Sequence, residues 1–271
     1  MDKLKFQSFG SGSSGNCYFI GNSQFGILID AGVGVRTIRK CLKDIGMDIK
    51  KMGAVFVTHN HADHVKSVGV LGEKYHIPIY STALVHQAIE NSYIVSNKLQ
   101  ISRKIINKDE TINIGDFSVT AFPVSHDAVD SVGYTVHCNG TSIVIATDLG
   151  HIDEAVAHKL VTSDYLVLES NYDVKMLDEG NYPAYLKERI SSATGHLSND
   201  QAGWFLSANY RKHWKSIFLC HLSRENNSPE LAYKTVLNYL ETINIQVGKD
   251  IELYTLDRYI PSKLFELESS N

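Results

Sequence analysis

Residues 58–64 read T-H-N-H-A-D-H, which places three histidines and one aspartate within six positions. Imidazole and carboxylate at that density are the donors that hold a divalent ion, and a set without thiolate suits Zn²⁺, Mn²⁺ or Fe. The apolar run G-A-V-F-V just before it, at residues 53–57, reads as a short buried strand. Successive strand residues alternate in direction, so His59 and His61 point the same way and can share one ion. Asp63 and His64 open the following helix and can face a second. Clustered histidines can be a purification tag, but a tag is continuous and terminal, whereas this cluster is interrupted and internal.

Four donors do not complete two sites. Further candidates stand where other apolar runs give out: His126 in F-P-V-S-H-D, Asp148 in I-V-I-A-T-D and His221 in I-F-L-C-H-L-S. Each alone reads as structural. Together, in this order, they form a pattern, because active sites of layered sheet proteins gather on loops along one edge. Glu169 ends L-V-L-E and reads as either a solvated strand end or a carboxylate that orients a histidine. His196, in T-G-H-L-S-N, reads as a helix entry with Ser198 or Asn199 as cap, or as a phosphate ligand or general acid. Arg224 reads first as a surface residue and second as a grip on phosphate. Asn16 and the Gly/Ser-rich turn at 10–15 either line the site or simply join two strands. His76, His86, His137, His151, His158 and His213 match no motif and are taken as structural.

The elements that must position these groups alternate between strand and helix. Strands are expected at 3–9, 16–21, 25–30, 53–57, 77–80, 132–138, 141–147, 165–169, 216–220 and 251–255. Residues 112–122 hold alternating apolar residues, including Phe117, Val119 and Ala121. Helices are expected at 35–46, 64–76, 83–91, 200–211 and 229–241. Asn139-Gly140 suits a type I′ turn, which needs φ > 0 at both positions, so 132–147 reads as a hairpin. Two β-rich halves, each with helices, suggest two sheets with helices outside them. No linker or repeat marks a boundary, and residues 1–271 are read as a single domain.

The chain has 271 residues, 43% apolar and 21% charged, enough for a sizeable core without disulfide staples. Its net charge of −4 lacks the basic excess of a non-specific duplex binder, so any nucleic-acid contact is local. Four cysteines with no CxxC pair read as reduced thiols, and neither a leader nor a membrane-spanning run is evident, so a cytoplasmic location away from membranes is expected.

The series HxHxDH, His, Asp, late His resembles the metallo-β-lactamase superfamily over essentially the whole chain. The resemblance implies an α/β fold, an αβ/βα four-layer sandwich of two mixed β-sheets flanked by helices. It implies that His59, His61 and His126 hold one metal ion, that Asp63, His64 and His221 hold another, and that Asp148 bridges them. A cysteine at the bridging position would suggest a true β-lactamase; Asp148 favours phosphodiester, lactone or thioester hydrolases. The Glu169 and His196 segments resemble motifs of the nuclease branch known from β-CASP nucleases. That branch carries a large inserted cap, and the 73 positions between Asp148 and His221 (221 minus 148) leave no room for one. The arm of ribonuclease Z is not evident either. The segments F-G-S-G-S-S-G-N, T-G-H-L-S-N and C-H-L-S-R-E-N-N resemble the YycJ/WalJ-type subgroup, compact bacterial proteins regarded as DNA exonucleases acting from the 5′ end. The implied activity is a metal-dependent phosphodiesterase, a 5′-to-3′ DNA exonuclease using a hydroxide bridged between two ions, Zn²⁺ or Mn²⁺ with Fe as a third option. Asp63, His196 and Glu169 are its expected catalytic residues and a nucleic acid, DNA favoured, its expected partner. The alternative is a glyoxalase-II-like thioesterase or lactonase with the same donors. A flavodiiron-type oxidoreductase has Glu at the place of His61 and a flavodoxin domain after it, and fits less well. A non-catalytic member would have lost ligands, and all seven are present. The oligomeric state is not readable.

Overall fold

In the computed structural model, which describes residues 3–268, six strands come first. They are β1 (Leu4–Gly10), β2 (Cys17–Gly21), β3 (Gly26–Ile29), β4 (Met52–Phe56), β5 (Ile79–Ser81) and β6 (Arg103–Ile105). Helices α1 (Val35–Asp44), α2 (Ala62–Val65), α3 (Val68–Tyr75) and α4 (Ala83–Asn91) are interleaved with them. A second series follows: β7 (Thr111–Ile114), β8 (Phe117–Pro123), β9 (Val132–Cys138), β10 (Thr141–Ala146), β11 (Tyr165–Glu169), β12 (Ser216–Cys220) and β13 (Glu252–Thr255). It carries α5 (Glu154–Thr162), α6 (Val174–Glu179), α7 (Ala184–Ser191), α8 (Asn199–Ala208) and α9 (Pro229–Thr242). Finally β14 (Phe265–Leu267) pairs antiparallel with β1.

Each sheet has seven strands, ordered β14-β1-β2-β3-β4-β5-β6 and β13-β12-β11-β10-β9-β8-β7. In the first, three antiparallel pairings are followed by three parallel ones. The second runs the same way from β7 to β13. Strands β10, β11 and β12 are buried at every position, which explains their unbroken apolar runs: both faces are covered. On β10, Ile143 and Ile145 face the space between the sheets, while Val144 and Ala146 face the outer helices. Phe6 meets Phe218 across the central layer at 4.8 Å between ring centroids, and Phe56 meets Tyr134 at 5.5 Å. Each such buried ring stabilises the sandwich by about 1.5–3 kcal/mol. The outer face of the first sheet packs under α1, α3 and α4, that of the second under α5, α8 and α9. These are the four layers the resemblance implies.

One expectation needs correction, and one alternating segment resolves into two strands. Residues 64–76 are not one helix. Ser67 donates its backbone N–H to Ala31 O (2.8 Å) and its hydroxyl to Val33 O (2.6 Å), and these bonds to the loop after β3 interrupt the turn and separate α2 from α3. The alternating run 112–122 is a hairpin, β7 and β8, folded at Gly115 with φ 57°.

Candidate metal centre

Six strands, β3, β4, β8, β10, β11 and β12, deliver their next residues to one edge of the sandwich. Asp30 follows β3 directly, His59 and His61 follow β4, His126 follows β8, Asp148 follows β10, and His221 follows β12. Glu169 is the last residue of β11. Asp30, Asp148 and His221 adopt left-handed backbone, with φ of 60°, 53° and 53°. For residues with a Cβ that conformation costs on the order of 1–2 kcal/mol each, and here it turns the side chain sharply off the strand end into the cluster.

All seven expected ligands converge. Donor atoms of His59, His61 and His126 lie within 4.8 Å of one another, as do those of Asp63, His64 and His221. His59, His64 and Asp148 form a third such group, so Asp148 stands between the two triads. Its carboxylate lies 3.1 Å from His64 Nε2, 3.3 Å from His221 Nδ1 and 3.7 Å from His126 Nε2.

Four of the five imidazoles are fixed through one nitrogen. His64 Nδ1 is 2.7 Å from Asp30 Oδ2, His126 Nδ1 donates to Gly195 O at 3.0 Å, and His221 Nδ1 is 2.8 Å from Glu169 Oε1. His59 Nδ1 is 3.0 Å from the Thr58 hydroxyl. This leaves the opposite nitrogens aimed inward. His59 Nε2 and His221 Nε2 are buried with no hydrogen-bond partner, and His126 Nε2 faces His61 Nδ1 at 3.4 Å. One orphaned imidazole nitrogen in each triad is the arrangement a bound cation completes.

The charges agree. Asp30, Asp148 and Glu169 are at most 2% exposed, and among the described residues their only cationic partners are histidines. Burial works against ionising Asp148, but His221 and His64 hold it well below the usual carboxylate range. Burial disfavours the charged form of His221, yet Asp148, Asp63 and Glu169 carry its pKa up to about 10. Burial pushes the His59 pKa well down, the state a metal-binding imidazole needs. Buried carboxylates of this number require cations, and the donor set accepts divalent ones.

Glu169 is fully buried, not a solvated strand end. Its Oε1 is 2.8 Å from both His196 Nδ1 and His221 Nδ1, and its Oε2 accepts from the backbone N–H groups of Leu149 (2.8 Å) and Leu197 (3.0 Å). His196 is 19% exposed at the side chain, and its ring lies 5.2 Å from that of His126 and 5.3 Å from that of His221. The helix-entry reading of this segment also holds: Ser198 caps α8 in a capping box with Gln201. Asn16 and the 10–15 turn line the site rather than merely joining strands. Asn16 accepts from Gly12 N at 2.8 Å and lies 2.9 Å from His64 Nε2.

Asp30 escaped the sequence reading. It accepts from Thr58 N (2.8 Å) and the Thr58 hydroxyl (2.9 Å) as well as holding His64. Its only signal was position, a lone aspartate closing the β3 run. His86 and His151, expected to be structural, bond to the backbone carbonyls of Lys104 and Ala193.

A family model described as a β-lactamase superfamily domain matches residues 26–209. The chain belongs to the metallo-β-lactamase superfamily. Within that superfamily it is 35% identical over 251 residues to a Streptococcus pneumoniae protein named exodeoxyribonuclease WalJ, covering 93% of each chain. It is 33% identical over 261 residues to exodeoxyribonuclease YycJ of Bacillus anthracis, covering 96% of this chain and 98% of that one. The metallo-β-lactamase fold protein YhfI of Bacillus subtilis superposes with a TM-score of 0.70 over 96% of this chain and 99% of its own, at 16% identity. No helix among the described residues is long and apolar enough to cross a membrane.

Proposed function

We propose that the chain is a metal-dependent phosphodiesterase that shortens DNA from the 5′ end, built as one metallo-hydrolase domain around this centre. The observation that carries the substrate is the near full-length likeness to two proteins named exodeoxyribonucleases. The geometry supports the chemistry: two triads of donors, a carboxylate between them, and a ninth group, His196, beside the seven ligands and Glu169.

In this reading His59, His61 and His126 hold one ion, Asp63, His64 and His221 the other, and Asp148 lies between them. Zn²⁺ or Mn²⁺ suits these donors, with Fe a third option. When bound, a pair of divalent ions offsets charge on phosphoryl oxygens and lowers the pKa of water towards about 7. Asp63, part-exposed and 3.3 Å from the Asn16 amide, is placed to take the proton of the attacking water. The P–O3′ bond breaks, and His196 gives its proton to the departing 3′ oxygen. Glu169 holds His196 by Nδ1, which leaves Nε2 for that transfer. Four free, buried cysteines and a DNA substrate fit a cytoplasmic location.

The test is incubation of the Zn²⁺- or Mn²⁺-loaded protein with 5′- and 3′-labelled single- and double-stranded DNA, with His61→Ala beside it. Mononucleotide released stepwise from the 5′ end, and lost in the variant, is expected. Turnover of S-lactoylglutathione or a lactone without DNA cleavage would overturn the nuclease reading and leave the metal centre standing.

A further inference from the structure

The nuclease reading explains the metal centre but not two arginines beside it. The Arg258 guanidinium is half buried, yet among the described residues it forms no ion pair within 4.0 Å. Neutral acceptors hold it instead: Nη1 donates to the Ser13 hydroxyl at 2.8 Å and Nη2 to the carbonyl of Leu222. It lies flat against the Gly/Ser turn, where a Cβ on Gly12 would come within 3.3 Å of both Arg258 Cγ and Nη1. The adjacent carboxylate, Asp257, accepts with Oδ1 from the backbone N–H groups of Tyr259 and Ile260, at 2.7 Å each. Burial disfavours the Arg258 charge and Arg224 adds like-charge repulsion, while Tyr259, Tyr182 and Asp257 favour it. Arg224 itself is 71% exposed at the side chain and 3.3 Å from an exposed Glu225, a pairing of little strength. The Tyr259 ring centroid lies 5.9 Å from the Arg258 guanidinium carbon, and Ser14, Arg224 and Arg258 lower the pKa of its phenol. Two guanidinium groups beside hydroxyl groups, with carboxylates (Asp257 near Arg258, exposed Glu225 on Arg224) that form no close ion pair with Arg258, are the donor side of an anion site.

Its place is set by the chain. Leu222 follows His221, and the His221 N–H donates to Ser11 Oγ at 2.9 Å, two residues from Ser13. The Cα of Arg224 is at most about 11 Å from that of His221. The site therefore borders the metal centre without sharing its ligands. A guanidinium has five N–H groups, and Arg258 uses two of them on protein acceptors, which leaves donors for a planar two-point grip. Tyr259, 60% exposed, adds a ring on which a base can stack.

We propose that Arg258 and Arg224, with Ser13, Ser14 and Tyr259, bind a backbone phosphate of the DNA strand next to the one being cleaved. This rests on the nuclease reading above. The site reads no base; it holds the strand in register so that successive phosphates arrive at the metals one nucleotide at a time.

The test uses the metal-loaded protein and a twelve-nucleotide single strand of thymidine with phosphorothioate linkages, which resist cleavage, made with and without a 5′ phosphate. Binding is followed by fluorescence anisotropy between 50 and 200 mM salt. Arg258→Gln is expected to weaken binding about tenfold, and Arg224→Gln about three- to tenfold. Each should lower the slope of log affinity against log salt by about 0.7, the value for one phosphate contact on a single strand. Lys40→Gln on α1, an equal change in net charge elsewhere, is the comparison. Arg224 is exposed, so its replacement tests the idea even if Arg258→Gln disturbs the turn. Equal weakening with both oligonucleotides identifies an internal phosphodiester; weakening confined to the 5′-phosphorylated one identifies the terminal phosphate. Affinity and slope no different from Lys40→Gln in both arginine variants would overturn the site. If the unaltered protein still degraded ordinary DNA, the nuclease reading would survive that result. Conversely, a protein that degrades no DNA but loses affinity in the arginine variants would lose the nuclease reading and keep the site.

Discussion

Asp30→Asn changes one buried atom and should remove one metal. Asp30 Oδ1 accepts from Thr58 N at 2.8 Å, while Oδ2 lies 2.7 Å from His64 Nδ1 and accepts from the Thr58 hydroxyl at 2.9 Å. The carboxylate thus fixes a proton on His64 Nδ1 and turns Nε2 towards Asp148 and Asp63. An asparagine tolerates the left-handed backbone at this position, φ 60°, and has almost the same shape. Its amide cannot satisfy both neighbours. With the NH₂ towards His64, the imidazole must accept at Nδ1 and carry its proton on Nε2, the nitrogen needed for the ion. With the amide reversed, NH₂ meets the Thr58 N–H, and a buried donor without an acceptor costs about 1–3 kcal/mol. Loss of such an outer partner typically lowers metal affinity 10- to 100-fold, or about 1.4–2.7 kcal/mol. The His59–His61–His126 triad does not touch Asp30 and should keep its ion. Metal content after dialysis against graded chelator, read by plasma mass spectrometry, is expected to fall from two ions per chain to one, with nuclease activity lost in step. Two ions retained at unaltered affinity would refute the orienting role of Asp30.

Three other perturbations have defined outcomes. His196→Ala should lower kcat by about 10²–10⁴ while both metals stay bound, as expected for a proton donor that holds no ion; metal loss in that variant would make His196 a ligand instead. Gly32→Ala places a Cβ 1.6 Å from the Asp63 carbonyl, so the HxHxDH loop must move; a loss of about 3 kcal/mol in chemical denaturation, with impaired metal uptake, is expected, and a wild-type denaturation midpoint would contradict the close approach. In metal-free protein the His221 pKa, raised to about 10 from about 6.5 in the unfolded chain, contributes stability that is complete below pH about 6.5 and is lost as the pH climbs towards 10. Thermal melts of the metal-free form should therefore fall across that window. Melts of the loaded form should not show this loss, because a bound ion excludes the proton; identical pH profiles would count against His221 as a ligand.

The sequence displayed the candidate metal ligands because they are densely spaced or stand at the ends of apolar runs, and strand ends are where such runs become visible. What it concealed depends on contacts between distant segments. Asp30 acts on a histidine 34 residues away, and nothing local distinguishes it from any aspartate after a strand. The left-handed backbone at Asp148 and His221 is equally invisible, since neither is a glycine. Among the elements, α7 has no buried residue and β6 is exposed along its length, so neither carries an apolar period to read. β14 exists because it pairs with β1 at the far end of the chain. The break between α2 and α3 comes from bonds to the loop after β3, which the helical period of 64–76 could not reveal. Local pattern thus located the chemistry, while tertiary hydrogen bonds decided its orientation.

The charges at the strand ends explain why the metals and the proton chemistry belong together. Asp30, Asp63, Asp148 and Glu169 bring four negative charges to one edge, and no lysine or arginine pairs with them among the described residues. Two divalent ions would balance them. Without the ions, the same carboxylates recruit protons onto histidines: the pKa values of His64, His196 and His221 are all raised against the burial that opposes their charge. Metal uptake must then displace protons from His64 and His221, and affinity should strengthen as pH rises. His196 is different, because its Glu169 partner is not one of the seven ligands and stays with it when the ions bind. On the proposed reading, a loaded site that kept the His196 proton and held a neutral water would carry one net positive charge, the complement of a single phosphodiester, with an acid beside the oxygen that must leave.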